Sequence, residues 1–379
     1  MEKGPSLMSQ STSRAFDGDA AKAATATGRG EATPLFLERD FRSPRMNLDG
    51  KTVLITGGTG SFGWRFVETA LSEFTPKKVI VLSRDELKQY EMAQAFPTGP
   101  ESPMRYFIGD VRDKDRLELA MRGVDVVVHA AALKHVPIAE YNPFECIRTN
   151  VFGAENVVRA ALSAGVKHVV ALSTDKAASP VNLYGASKLA SDKIFTAAQN
   201  MSGEDGPRFS VVRYGNVVGS RGSVVPFFRK LAEDGAEHLP ITDPRMTRFW
   251  ITLSQGVNFV LSALSAAKGG EIFVPKIPSM RTVDLAHTIA PGLPHEMVGV
   301  RPGEKLHEVM VPADDARMTV ELEDRYVILP AGQPSLRERW LKDGARPVPE
   351  DFAYTSDSNP ERLDARALQR VLQDCINTG

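Results

Sequence analysis

Cysteine is nearly absent from this chain: Cys146 and Cys375 are the two thiols in 379 residues. Two cysteines cannot build a disulfide framework, and their scarcity fits a reducing compartment. Net charge is equally lacking. The 46 basic and 47 acidic side chains leave a formal charge of −1. That balance excludes bulk electrostatic attraction to nucleic acid or an anionic membrane as the default, and leaves open only a local basic cleft. The seven histidines form no H-x-x-x-H or H-x-H pair, so no metal site is legible from spacing. No apolar run approaches the roughly 20 residues that cross a bilayer. These absences together predict a cytoplasmic protein with no membrane or nucleic-acid partner.

Apolar periodicity is missing from residues 1–46, which are rich in Ser, Thr, Ala and Gly. Such a stretch buries too little apolar surface to offset its ordering entropy, so a disordered extension without a catalytic role is expected there. A secretory signal is excluded because no continuous apolar segment is present. Asp17, Asp19, Glu31, Glu38 and Asp40 make the stretch too acidic for a good transit peptide, and Met46 would serve equally well as a start.

What is there begins at Lys51. Short apolar, β-branched runs predict strands over 52–56, 78–82, 105–108, 124–129, 168–172 and 209–213. Helical patterns separate them over 61–73, 85–94, 114–122, 143–164 and 183–200. That alternation specifies an α/β fold with a doubly wound parallel sheet. Residues 47–215 are expected to form the nucleotide-binding domain. After Asn216 the pattern turns irregular, with loop-like segments over 215–223, 241–249 and 274–281. Residues 216–331 are therefore expected to form mainly a smaller substrate lobe over the C-terminal edge of the sheet. Residues 332–379 read as a connector, Pro- and Arg-containing over 332–349, followed by a last helix over 364–374.

Three motifs carry chemistry. Gly57, Gly60 and Gly63 form G-x-x-G-x-x-G, with Thr59, Ser61 and Phe62 between them, directly between the first strand and helix. The first glycine allows a tight turn, the second a close approach to pyrophosphate, and the third close helix packing; the helix N-terminus favours the anion. At the end of the second strand, where an NAD site usually has an acid, stand Ser83 and Arg84, with Lys88 one turn on. A hydroxyl and two cations suit a 2′-phosphate, so NADP is favoured; the alternative is a solvated helix start beside Asp85 and Glu86. Asp110 and Val111 are placed to contact adenine, and Ala130 and Ala131 are small enough for a cofactor to pass.

Tyr184 and Lys188 form Y-x-x-x-K on one face of the long helix. An ammonium beside a phenol favours phenolate, and Lys188 can also hold a nicotinamide ribose. Thr174, Asp175 and Lys176 end the fifth strand, where active-site groups project. An acid and a base side by side there are what an elimination requires; the alternative is a surface ion pair.

The Tyr/Lys pair after the glycine turn resembles the extended short-chain dehydrogenase/reductases that act on nucleotide sugars. Ser-Thr-Asp-Lys-Ala (173–177), Ala-Leu-Lys-His-Val-Pro (132–137), Thr-Asp-Pro-Arg-Met-Thr-Arg-Phe (242–249) and Arg-Pro-Gly-Glu-Lys-Leu-His-Glu (301–308) are similar to the inverting UDP-N-acetylglucosamine 4,6-dehydratases, as are residues 180–190 and 213–224. The similarity runs from Lys51 to at least Leu329. Retaining dehydratases carry an acidic pair where this chain has Asp175-Lys176. The resemblance implies a Rossmann-type fold, an NADP-dependent hydro-lyase, a cytoplasmic homo-oligomer and a place early in the route to pseudaminic acid. It implies that Tyr184, assisted by Thr174, serves oxidation at C4, that Lys176 as a neutral amine removes the C5 proton, and that protonated Asp175 donates to the leaving hydroxyl. Lys134, Asn216, Arg221, Thr242, Arg248, Arg301 and Glu304 are the expected substrate contacts, the arginines for diphosphate. His135 reads as structural. The competing readings are a UDP-sugar 4-epimerase, which leaves Asp175-Lys176 unexplained, and a non-catalytic NADP sensor, against which the retained Tyr184 and Lys188 argue.

Overall fold

A buried β-branched run and a glycine turn set the frame. All five residues of the first strand, Thr52–Thr56, are buried, as they must be when helices cover both faces of a sheet. The computed structural model describes Met1 and residues 39–203, 205–220 and 222–377, with side chains described as far as residue 372. The first half runs β1 (Thr52–Thr56), α1 (Ser61–Glu73), β2 (Lys78–Ser83), α2 (Glu86–Ala95), β3 (Met104–Ile108), α3 (Lys114–Ala120), β4 (Val126–His129), α4 (Val136–Tyr141), α5 (Pro143–Ile147), α6 (Gly153–Ala164), β5 (His168–Thr174), α7 (Leu183–Ala198) and β6 (Arg208–Tyr214). These six strands lie parallel in the order β3-β2-β1-β4-β5-β6. The order reverses beside β1, which is where such sheets open a crevice for a dinucleotide. The predicted single helix over 143–164 is interrupted by a π-helical turn, Arg148–Phe152, between α5 and α6.

The second half runs β7 (Asn216–Val217), α8 (Val224–Glu233), β8 (Leu239–Ile241), β9 (Thr247–Ile251), α9 (Leu253–Ala266), β10 (Glu271–Pro275), β11 (Ser279–Arg281), α10 (Thr282–Ile289), β12 (His295–Met297), β13 (Val309–Val311), β14 (Thr319–Glu321), β15 (Arg325–Ile328), α11 (Pro334–Lys342), β16 (Arg346–Pro347), β17 (Tyr354–Thr355) and α12 (Ala365–Asn377). It is not a lobe apart. Strand β10 returns to the main sheet parallel to β6, and β15, β14 and β16 extend that edge antiparallel. Over the sheet edge stand β7, β9 and β11 as one small sheet, with the pairs β8–β12 and β13–β17 beside it. The segments expected as loops over 241–249 and 274–281 thus contain strands, and the expected connector contains α11, which buries Leu336 and Trp340 one turn apart.

The expected extension also ends earlier than residue 46. Residues 2–38 lie outside the described residues, but 39–46 pack on the core. Phe41 is 3% exposed, with its ring 4.9 Å from that of Phe259. The Arg39 guanidinium donates two 2.9 Å bonds to the Glu361 carboxylate, and Arg45 pairs with Glu73 at 2.7 Å. One buried aromatic and two forked arginines are enough to order a short strap that lacks periodicity.

Candidate active site

The turn after β1 is closed by backbone contact. Gly57 has φ +66°, and a Cβ there would lie 2.8 Å from Ala131 Cα at the end of β4. A Cβ on Gly63 would lie 2.0 Å from the Gly58 carbonyl oxygen, so the third glycine is what lets α1 start against the turn. Gly60 caps α1 without a side-chain cap bond, a helix start of the kind that receives phosphate. The Thr59 and Ser83 hydroxyls are 2.9 Å apart. Gly57, Thr59, Ser83, Arg84, Lys88, Asp110, Val111 and Ala131 line one cavity of about 210 Å³. Ala130 lies just behind it, its N–H donating to Thr56 O. The two cations at its rim are both exposed. Arg84, 57% exposed, is 3.8 Å from Asp110, and Lys88 reaches back to Asp85 at 2.8 Å. Burial works to raise the Asp110 carboxyl, but the hydrogen bonds of Arg112 outweigh it and hold Asp110 below the usual carboxylate range.

At the end of β5 the expected catalytic residues meet. The Thr174 hydroxyl donates to Asp175 Oδ1 at 2.8 Å, and Lys176 Nζ lies 3.1 Å from the same oxygen. Asp175 is fully buried, and its Oδ2 has no partner. Thr174, Lys176, Tyr184 and Lys134 line a second cavity of about 320 Å³, together with His135 and Asn216. Asn150, in the π-helical turn, accepts from the Leu133 N–H at 2.8 Å and donates to the Ser187 hydroxyl at 2.9 Å. It thereby fastens the loop bearing Lys134 to α7.

Two electrostatic expectations change. Tyr184 was expected below its ordinary value because of Lys188; instead burial pushes it up to about 12, with the charge of Asp175 adding and those of Lys176 and a Thr174 hydrogen bond opposing. Lys188 is 3% exposed and donates to Leu172 O at 2.7 Å. Burial lowers its own pKa while Asp192 opposes the change. The cation that acts on Tyr184 is Lys176. Lys176 itself was expected neutral. Burial favours that, but the carboxylates of Asp175 and Glu308 outweigh it and hold the amine above its ordinary value. Glu308, passed over in the sequence although it ends the segment 301–308, is 2% exposed with Oε1 3.3 Å from Lys176 Nζ.

A third cavity, of about 680 Å³, adjoins through Asn216, Gly222 and Ser223 and gathers Thr242, Arg248, Arg301 and Glu304. Arg221 lies outside the described residues. Arg248 is not the open fork expected for diphosphate. Its guanidinium donates to the carbonyls of Thr247, Lys305 and Leu306, so it braces the cavity wall. Arg301 is 65% exposed and 3.8 Å from Glu304. Burial lowers the pKa of Lys134.

A parallel sheet in this order, a glycine turn and a Tyr/Lys helix beside the end of β5 define an extended short-chain dehydrogenase/reductase. Residues 53–330 match the family model described as polysaccharide biosynthesis protein, and the chain belongs to that family. It is 56% identical over 335 residues to the UDP-N-acetylglucosamine 4,6-dehydratase (inverting) of Campylobacter jejuni subsp. jejuni serotype O:23/36, covering 87% of this chain and 98% of that one. It is 41% identical to the UDP-glucose 4-epimerase of Rickettsia canadensis, over 85% and 95% of the two chains. The crystal structure of DesIV, a dTDP-glucose 4,6-dehydratase from Streptomyces venezuelae with NAD and TYD bound, superposes with a TM-score of 0.61 at 26% identity, over 67% of this chain and 86% of that one.

Proposed function

We propose that this chain is a C5-inverting UDP-N-acetylglucosamine 4,6-dehydratase that works with NADP and yields a UDP-4-keto-6-deoxy-N-acetylhexosamine of L-arabino configuration. The observation that carries the reading is Asp175 and Lys176 beside Tyr184 at the end of β5, in a chain 56% identical to a dehydratase of that name. The first cavity fits a dinucleotide: the turn over residues 57–63 would take the pyrophosphate, and Ser83, Arg84 and Lys88 a 2′-phosphate. DesIV carries NAD; the NADP reading rests on those three residues. Such a cofactor, when bound, supplies the acceptor and donor of hydride, and no external reductant is consumed.

The chain's own residues move the protons. Tyr184 reacts as its phenolate, the form that the Lys176 charge and the Thr174 hydrogen bond favour against burial, and accepts the O4 proton as C4 is oxidised. The 4-ketone acidifies C5. Lys176, an ammonium between two carboxylates, becomes the amine base when its proton passes to Asp175, 3.1 Å away. That single shift also makes Asp175 the acid, and filling the cavity with sugar favours the neutral pair over the ion pair. Lys176 then takes the C5 proton, and Asp175 gives its own to the departing C6 hydroxyl. Tyr184 returns the O4 proton to C5 on the opposite face and is left as the phenolate, while the two transfers already made have restored the Lys176 ammonium and the Asp175 carboxylate. Every proton is accounted for.

Incubation with UDP-N-acetylglucosamine, followed by mass spectrometry, tests this. A product lighter by one water, with solvent deuterium at C5, is expected. A product of unchanged mass epimeric at C4 would establish the 4-epimerase reading instead, which the Rickettsia relative represents.

A further inference from the structure

Lys176 and Asp175 form a complete ion pair at 3.1 Å, yet a second carboxylate is built against the same nitrogen. Glu308 Oε1 lies 3.3 Å from Lys176 Nζ and 3.6 Å from Arg248 Nε. Its other oxygen, Oε2, is buried without a partner. A half-satisfied buried carboxylate costs stability, so its presence calls for a role outside the fold. Its placement is rigid. Glu308 immediately precedes β13, its N–H donates to the Ser356 hydroxyl and its carbonyl accepts from the Ser356 N–H, each at 2.8 Å. Ser356 is in turn bonded to Thr247. Arg248, committed to three carbonyls, fixes the far side of the carboxylate.

We propose that Glu308 is a positioning residue for Lys176: its carboxylate holds the lysine nitrogen at the edge of the catalytic cavity and stabilises the positive charge that forms there when the lysine takes a proton from substrate. The inference rests on Lys176 being the C5 base. The charged and titratable groups facing Lys176 are Asp175 on its own turn, Tyr184 on α7, Arg248 on β9, and Glu308 and Lys305 on the segment before β13. Asp175 and Tyr184 each exchange a proton during the reaction. Glu308 does not, so its charge is constant. A constant negative charge makes Lys176 a stronger base and delays its deprotonation to higher pH.

Glu308→Gln removes the charge and keeps the shape. The limb of the kcat–pH profile that reports loss of the Lys176 proton is expected to move down by about one pH unit or more. At the plateau kcat falls roughly 10- to 100-fold, KM changes little, and the isotope effect with C5-deuterated substrate rises. Glu308→Asp withdraws the charge by one methylene and shifts the limb in the same direction by less. A limb that stays in place in both variants overturns the inference, whether kcat is kept or falls together with affinity. A readout without turnover separates this from the reaction itself. Acetylation of Lys176 by acetic anhydride, followed against pH by peptide mass spectrometry, should show a lower midpoint in Glu308→Gln. An unchanged midpoint overturns the Glu308 role; a wild-type enzyme that releases only an epimer overturns the dehydratase reading, whatever that midpoint does.

Discussion

Asp175 is a fully buried carboxylate with one oxygen shared by Thr174 and Lys176 and the other unpartnered. In the proposed mechanism Asp175 gives its proton to the departing hydroxyl, and Asn has the same shape without that proton. Asp175→Asn is therefore expected to slow water elimination by about 10²- to 10⁴-fold, while oxidation at C4 continues. Reduced nicotinamide should then accumulate on the enzyme, visible in its near-ultraviolet absorbance; product release at the wild-type rate would contradict the assignment. At the nucleotide end, Arg84→Ala removes an exposed cation whose ion pair is a 3.8 Å contact to Asp110, so stability should change by less than about 0.5 kcal/mol. NADP affinity, by titration calorimetry, should fall about 10-fold or more while NAD affinity holds; equal losses for both would end the 2′-phosphate reading. Asp175, Lys176 and Tyr184 were legible because they sit in one local stretch with a known strand end before it. Glu308 and the bracing role of Arg248 were not, because both depend on the segments around 305–308 and 356 folding back against β9, contacts between stretches far apart in sequence.

The elements of the first half were legible for a physical reason: strands buried on both faces read as apolar runs, and short turns separate them from helices. The second half hid its elements where the chain leaves the sheet and comes back. Strand β10 is buried at all five positions but ends at Pro275 and follows Gly269 and Gly270, both at positive φ, so its neighbours read as loop. Helix α11 begins with Pro334 at its first turn, where proline is at home, yet a proline in a polar stretch reads as a connector. The β1–α1 junction offers the sharpest test at this scale. Gly63→Ala sets a Cβ 2.0 Å from the Gly58 carbonyl, backbone against backbone, whereas at Gly60 the nearest atom is 3.4 Å away. Gly63→Ala should cost at least about 1–3 kcal/mol of stability, measured by chemical denaturation. Gly60→Ala should leave the unfolding midpoint close to wild type and weaken dinucleotide binding. Equal stability of the two variants would show that the helix can slide away from the turn.

Across the whole molecule, residues 39–45 and 354–363 converge on the corner between β10 and β11, the strand that pairs with β9. The Tyr354 hydroxyl accepts from the Ile277 N–H and donates to the Ile277 carbonyl, and Asn359 donates to that same carbonyl. From the other end, Arg39 donates to Lys276 O and forks onto Glu361, whose carbonyl accepts from the Ser279 N–H. The corner is thus clamped between residues 39–45 and 354–363, and β17 and Ser356 pass the constraint to Glu308. Surface ion pairs couple weakly, but this one is bidentate, with side chains 11% and 26% exposed, and it fastens the start of the strap. A double-mutant cycle with Arg39→Ala and Glu361→Ala should give a coupling energy on the order of 1 kcal/mol by denaturant unfolding. Either single variant should also loosen the strap, which limited proteolysis near Phe41 would detect before global unfolding. Additive effects, with coupling below about 0.3 kcal/mol, would mean that the strap is held by its other contacts, Phe41 and Arg45 among them, and that residues 39–45 and 354–363 are independent.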